Sequence, residues 1–244
     1  MAEFDESKHP RDEEGKFTYK GGGRQGTEGD KRREAVKKYS DDPGRDMAEM
    51  GLTLAHNRGA ESKKAIQFDN GMAANQYFRD VEEKWLKSLD ADAKKILNEY
   101  TNELYYNLNA YLRGFPSNYN LNRGEIEKID SAIDNFVLKD PITVYRAVTS
   151  SKELAGTTLK KGDQINWKAY TSTSMDKEAV NGEQYMLYEI EVPQGKGRGA
   201  YINSLSEYKD MEYEFLLKRD TTAEVTDVIE ENGKKIIKLK VVEK

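Results

Sequence analysis

The chain has 244 residues, of which 36% are hydrophobic and 34% charged, and its formal net charge is −5. This polar composition indicates a folded part joined to a solvated part, and the acidic balance makes nucleic acid an unexpected partner, although it leaves room for a local basic groove. The absence of cysteine excludes disulfides and thiolate chemistry.

The first 64 residues differ in composition from the rest. Apolar residues are scarce before residue 47, and five glycines fall between residues 21 and 29. We therefore expect residues 1–30 to be disordered and residues 31–64 to form a poorly defined helical segment. The start lacks the basic and apolar regions of a secretory signal, and no run approaches the roughly 20 apolar residues of a membrane span. These features predict a soluble protein.

From residue 65 onward, apolar residues recur at helical spacing in three stretches, 78–89, 96–112 and 126–137. Gly114 and Pro116 are expected to stop the second helix. Asn122, followed three residues later by Glu125, resembles a capping box that would start the third.

After Pro141 the period changes to two, and seven strands are predicted at 142–146, 163–173, 184–192, 199–202, 212–219, 222–229 and 235–242. Asn232-Gly233 between the last two indicates a hairpin. Helices followed by strands favour an α+β fold for residues 65–244.

The segment 211–217 carries two carboxylates on one predicted strand. Alternate strand residues share a face, so Glu212 and Glu214 are expected on one side and Tyr213 with Phe215 on the other. Two carboxylates this close raise each other's pKa and reduce stability, as a catalytic pair would. The pattern also fits the solvated face of a half-buried strand, and taken alone it favours that interpretation.

Two further segments admit two interpretations each. The run of residues 170–174 contains hydroxyls that could orient a carboxylate by hydrogen bonding, yet Ser174 also suits the cap of a helix starting near Asp176. Arg146, within the apolar strand segment 144–148, either faces solvent or points at an anion such as a pyrophosphate.

The order of these segments resembles that of the ADP-ribosyltransferase exoenzyme family, which includes catalytic chains of clostridial-type binary toxins and related phage proteins. The resemblance rests on Arg146, then aromatic-x-Ser-Thr-Ser at 170–174, then Glu-x-Glu at 212–214. Further landmarks are residues 100–101, 105–113 and 199–202. It covers residues 65–244 and implies N-terminal helices packed on a two-sheet mixed β-core.

The resemblance also implies roles for four residues. Glu214 would stabilise the cation formed as NAD loses nicotinamide, and Ser172 would hold Glu214 and the ribose in register. Arg146 would bind the pyrophosphate. Glu212 would engage an acceptor arginine, since in this family glutamate at that position accompanies arginine, whereas glutamine accompanies asparagine or other acceptors.

Three other residues receive roles from the same resemblance. Tyr170 would pack near the nicotinamide, and Thr173 would contribute to the NAD site. Tyr208 would contact the target protein, but it lies four residues before Glu212, where many relatives have an aromatic residue three before. That difference concerns the target rather than the NAD chemistry.

The implied reaction is transfer of ADP-ribose from NAD, a substrate here, to an accessible arginine of a target protein. Two alternatives remain: an NAD glycohydrolase with water as acceptor, and a non-enzymatic phage structural protein with a degenerate fold. No metal is expected, because His9 and His56 are the only histidines and both lie in polar surroundings.

A second resemblance concerns residues 5–17, which are similar to a short element of phage structural and head-morphogenesis proteins. A charged disordered tail explains the same residues equally well. The first interpretation predicts association with a phage capsid or portal through residues 1–64. The protein would then act in the bacterial cytoplasm or the virion, or after delivery into a host cell.

Overall fold

The computed structural model describes residues 63–115, 123–148, 159–180, 186–206, 208–231 and 233–242. The predicted disordered tail, all but the last two residues of the predicted segment 31–64, and Asn122 of the capping pair lie outside the described residues. The described ranges include all three predicted helical stretches and nearly all of the seven predicted strands.

The helices come first, as the sequence predicts. In chain order they are α1 (Gly71–Ser88), α2 (Ala91–Glu99), α3 (Tyr105–Leu112) and α4 (Arg123–Asp134). Asn70 caps α1 by accepting a hydrogen bond from the Ala73 amide at 3.0 Å, and Asp90 caps α2 in the same way. One π-helical turn, Tyr100–Leu104, joins α2 to α3.

Helix α4, which corresponds to the third predicted helical stretch, ends earlier than predicted. It stops at Asp134, and Phe136 and Val137 lie beyond it. The backbone of Val137 instead pairs with Lys196 in a two-stranded ribbon, while the Phe136 side chain is buried in the core. The apolar period continues past the helix because Phe136 still faces the same core.

Ten strands lie in the described ranges after the helices. They are β1 (Val137–Leu138), β2 (Ile142–Val148), β3 (Gln164–Trp167), β4 (Thr171–Ser174), β5 (Met186–Val192), β6 (Gly195–Lys196), β7 (Gly199–Tyr201), β8 (Glu214–Leu217), β9 (Thr221–Glu231) and β10 (Lys234–Val241). The short ribbon β1–β6 was not predicted. The prediction of a single strand at 163–173 is wrong. The segment forms two strands, because β3 pairs with β9 and β4 pairs with β8.

Eight strands form one mixed sheet in the order β3-β9-β10-β5-β2-β4-β8-β7, with β10 and β5 parallel. Strands β2 and β4 are joined by one residue pair, Tyr145 and Ser174. The sheet therefore divides into a five-stranded part ending at β2 and a three-stranded part beginning at β4. The predicted α+β fold, with helices on a mixed β-core, is confirmed.

The helices pack on the three-stranded part through aromatic side chains. Phe78 of α1 stacks on Tyr201 with ring centroids 4.7 Å apart, and Phe136 meets Phe215 edge to face. The Trp85 indole donates to the Ala132 carbonyl at 2.8 Å, which fixes α1 against α4. This packing holds the start of β8 against the helices, close to the junction of the two sheet parts.

Candidate active site

Glu214 lies at the junction between the two parts of the sheet. It is the first residue of β8 and pairs with Ser174, the residue of β4 that also pairs with β2. Glu214 is only 5% exposed. Buried carboxylates are uncommon without a partner. The fold therefore places one carboxylate where the two parts of the sheet meet.

Opposing influences set the pKa of Glu214. Burial raises it, and the nearby Glu212 carboxylate raises it further. A hydrogen bond from the Ser172 hydroxyl and the charge of Arg146 lower it. The balance raises the pKa of Glu214 to about 7, so the carboxyl group changes charge near neutral pH.

Ser172 and Arg146 meet Glu214 from two different strands. Facing residues of paired strands share a face, so Ser172, opposite Leu216, lies on the same face as Glu214. Nη1 of Arg146 donates to the Ser172 carbonyl at 3.0 Å and so links β2 to β4 beside their single residue pair. The structure brings together Arg146, Ser172 and Glu214, which lie far apart in sequence.

Tyr100 is a further residue of the site that the sequence marked only as a landmark. It begins the π-helical turn, is fully buried, and receives a hydrogen bond from the Asn109 amide at 2.9 Å. The charge of Glu214 contributes to raising the Tyr100 pKa, after burial, which is the larger cause. Single π-turns are frequent at functional sites, but apolar periodicity does not reveal them.

Arg113 brings a second cation to this region. It follows α3 as the C-cap residue and is exposed. Its charge, like that of Arg146, lowers the pKa of Tyr100 against the larger effect of burial. Both arginines therefore lie close enough to Tyr100 for their charges to act on it, one from a helix end and one from a strand.

Glu212 is not part of the strand, so the prediction that it shares a strand face with Glu214 is wrong. Tyr213 adopts a left-handed backbone conformation with φ 47°, so the extended backbone of β8 begins only at Glu214. Glu212 lies in the β7–β8 loop (residues 202–213) with an exposed side chain, although surrounding atoms exclude enough water to raise its pKa. The Ser174 hydroxyl donates to its carbonyl oxygen at 2.6 Å.

The remaining predicted residues lie in three different places. Tyr170 is 1% exposed, and its hydroxyl donates to Asp130 at 2.8 Å while its ring meets Tyr100 edge to face. It packs against Tyr100 within the hydrophobic core, and its place near the nicotinamide stays a prediction. The Thr173 hydroxyl donates to the Phe215 carbonyl at 2.5 Å on the face away from Ser172. Tyr208 is 44% exposed on the β7–β8 loop.

Within the described ranges, no group of three or more histidine, aspartate or glutamate side chains could hold a metal ion. None of the helices described there has the length and apolar character needed to cross a membrane.

The sequence matches a known family over most of the chain. The sequence profile of the ADP-ribosyltransferase exoenzyme family matches residues 74–244. The chain belongs to this family. A curated relative, the NAD(+)–arginine ADP-ribosyltransferase EFV of Enterococcus faecalis, is 29% identical over 62% of this chain and 32% of its own length. The chain thus spans about a third of that relative.

Solved structures of ADP-ribosyltransferases share the fold. Plx2a, an ADP-ribosyltransferase toxin from Paenibacillus larvae, is 25% identical, with a TM-score of 0.58 over 71% of this chain and 96% of that one. C3stau2 from S. aureus, solved with NAD, is 21% identical, with a TM-score of 0.64 over 74% of this chain and all of that one. The likeness to C3stau2 is evidence for the fold alone.

Proposed function

We propose that this chain is a mono-ADP-ribosyltransferase that moves ADP-ribose from NAD to arginine of a target protein and releases nicotinamide. The observation that carries the proposal is the buried Glu214 carboxylate, held by Ser172 beside Arg146 and two residues from an exposed second carboxylate. Membership of the exoenzyme family supports the reaction class. The arginine specificity named for the Enterococcus faecalis relative supports the acceptor.

In the first step the N-glycosidic bond between nicotinamide and the ribose breaks. Nicotinamide takes the bonding electron pair and leaves as a neutral molecule, so no general acid is required. The ribose becomes an oxocarbenium-like cation, as in other glycosidic cleavages. Ionised Glu214 hydrogen-bonds a ribose hydroxyl and attracts this developing charge, and its interaction is strongest in the transition state.

The substrate itself favours the ionised form of Glu214. The nicotinamide ring of NAD is cationic before the bond breaks, and a nearby positive charge lowers the pKa of a carboxyl group. Arg146 acts in the same direction in the free protein. Arg146, together with Arg113, supplies positive charge for the pyrophosphate, with the planar fork of a guanidinium suited to phosphate oxygens.

In the second step a guanidinium nitrogen of the acceptor bonds to the ribose carbon that nicotinamide left. Glu212, exposed on the β7–β8 loop, pairs with the acceptor guanidinium and orients it, because a carboxylate matches the guanidinium fork. Its raised pKa suits acceptance of the proton that the nitrogen releases. Tyr208 lies on the same loop, exposed towards an incoming protein.

The experiment compares wild-type protein with Glu214→Ala, Glu212→Gln and, as a control, Glu224→Ala, which removes an exposed glutamate of β9. Each is incubated with labelled NAD and a bacterial lysate, and both nicotinamide release and labelled protein are measured. We expect Glu214→Ala to lose both products by on the order of a hundredfold or more. We expect Glu212→Gln to keep nicotinamide release and lose hydroxylamine-sensitive label.

Each outcome discriminates between functions. Nicotinamide release without labelled protein would replace the proposal by an NAD glycohydrolase. Neither product from the wild type would favour a non-enzymatic role. Near-normal turnover by Glu214→Ala would overturn the assignment of that residue.

The partner and compartment predictions go beyond the catalytic domain. Association of residues 1–64 with a phage capsid or portal stays a prediction, as does the choice between bacterial cytoplasm, virion and delivery into a host cell. Co-sedimentation of the full chain with purified phage particles, against a chain lacking residues 1–64, tests the association directly.

A further inference from the structure

The β7–β8 loop is joined to helix α1 through a partly buried polar contact. One oxygen of Asp210 accepts hydrogen bonds from the Asn75 side-chain amide at 2.9 Å and from the Asn203 amide at 3.1 Å. The Asp210 backbone N–H in turn donates to the Asn203 side-chain oxygen at 3.1 Å. Asn203 is 2% exposed. Asn75, Asn203 and Asp210 together form the loop clamp.

The clamp holds a backbone conformation that is unfavourable for most residues. Asp210 has φ 59°, in the left-handed region that aspartate and asparagine tolerate better than other side chains. The chain reverses there, and the amide of Glu212 then donates to the Tyr208 carbonyl at 3.2 Å. The clamp therefore determines the direction in which the chain arrives at Glu212.

Other contacts with α1 fix both ends of the loop. The backbone amide and the hydroxyl of Ser204 both donate to the buried Glu82 carboxylate at 2.9 Å. At the far end, the Tyr213 ring packs so closely on Gly71 that a Cβ there would overlap it. Tyr208 and Glu212 remain exposed between these anchors. The contacts with α1 thus hold the loop at both ends and leave the side chains of Tyr208, Lys209 and Glu212 facing solvent.

We propose that Asn75 is a positioning residue for the acceptor, which sets the partition of activated ADP-ribose between arginine and water. The proposal rests on the proposed function. The Asn75 amide bonds to Asp210 on the loop, whereas Glu214 is held separately by Ser172 and by its place in β8. Loosening the clamp displaces Glu212 and leaves the NAD-cleaving group in place. Small displacements of a positioning group reduce rates steeply.

The test uses the full chain with NAD and agmatine, a small guanidinium acceptor. Nicotinamide release and ADP-ribosyl-agmatine are measured for wild type, Asn75→Ala and Asp210→Gly, which removes the acceptor oxygen of the clamp but keeps tolerance of the left-handed conformation. Arg79→Ala, exposed one turn further along α1, is the matched control. We expect both clamp variants to lose transfer on the order of tenfold, with nicotinamide release within about twofold of wild type.

A second measurement separates positioning from general destabilisation. In the Glu212→Gln background, Asn75→Ala should lower transfer no further, because the group it positions is already gone. Equal losses of nicotinamide release and of transfer to agmatine, or no loss of either, would overturn the proposed positioning role of Asn75 and leave the proposed function standing. A wild-type protein that releases no nicotinamide would overturn the proposed function, and with it the positioning role of Asn75. Thermal melts of every variant identify any that fail to fold.

Discussion

The pKa of about 7 for Glu214 predicts the pH dependence of NAD cleavage. Only the ionised carboxylate stabilises the developing cation, so kcat/KM for NAD hydrolysis should rise with pH and level off above about 7. The midpoint of kcat/KM reports the free protein. An ordinary glutamate would place this midpoint near 4.5.

Two substitutions should move that midpoint in opposite directions. Ser172→Ala removes a hydrogen bond that favours the charged form, so the midpoint should move to higher pH. Hydrogen bonds to charged groups contribute about 1.5–3 kcal/mol, which corresponds to a shift of about one to two pH units. Glu212→Gln removes a like charge that disfavours ionisation, so the midpoint should move to lower pH.

The assay is nicotinamide release at limiting NAD across pH 5 to 9, with no protein acceptor. The midpoint, not the maximal rate, is the quantity compared, because Ser172→Ala can also slow the reaction through its contact with ribose. Arg146→Gln is a third variant with a predicted direction, towards higher pH. A wild-type midpoint near 4.5, or shifts of the same sign in Ser172→Ala and Glu212→Gln, would refute the electrostatic description of the site.

Two further predictions concern stability and the NAD contacts. A folded-state pKa raised from 4.5 to about 7 contributes stability that is present at low pH and lost as pH rises through 7. Glu214→Gln should therefore gain up to about 3 kcal/mol in free energy of unfolding, relative to wild type, between pH 5 and pH 8. Urea melts at both pH values measure this, and an unchanged difference would contradict it. Thr173→Val should leave KM for NAD within about twofold, whereas Arg146→Gln should raise it on the order of tenfold, because the Thr173 hydroxyl is committed to Phe215. A large increase in KM for NAD in Thr173→Val would instead indicate that Thr173 contacts NAD.

Apolar periodicity was sufficient to predict the helices and most strands. Strong periods such as that of 78–89 reflect one buried face, and the structure buries that face against Tyr201 and Phe136. The π-turn at Tyr100–Leu104 could not be predicted, because it inserts one residue into a helix without changing which residues are apolar. Between β3 and β4 the chain changes its pairing partner from β9 to β8, and Tyr170 there bonds to Asp130 of α4, a contact between residues 40 apart in sequence.

The order of the motifs along the chain was sufficient to predict the residues of the candidate site. The prediction that Glu212 and Glu214 share one face of a strand was wrong. Alternation along a strand requires extended backbone at every residue. Tyr213, at φ 47°, breaks that condition between Glu212 and Glu214. Neither the composition of 211–217 nor its pattern signals this, because a tyrosine between two glutamates suits a strand. The cause is tertiary, since the Tyr213 ring packs on Gly71 of α1.

That break in the strand gives the two carboxylates separate surroundings. Glu214 lies within the sheet, where the ladder, Ser172 and Arg146 fix its position and set its charge. Glu212 lies outside it, exposed on a loop whose course depends on Asp210 and its partners in the clamp. Had both remained in one strand, any change that moved one carboxylate would have moved the other. Their separation lets a substitution in the clamp move Glu212 without moving Glu214, so such substitutions test capture of an acceptor while Glu214 stays in place.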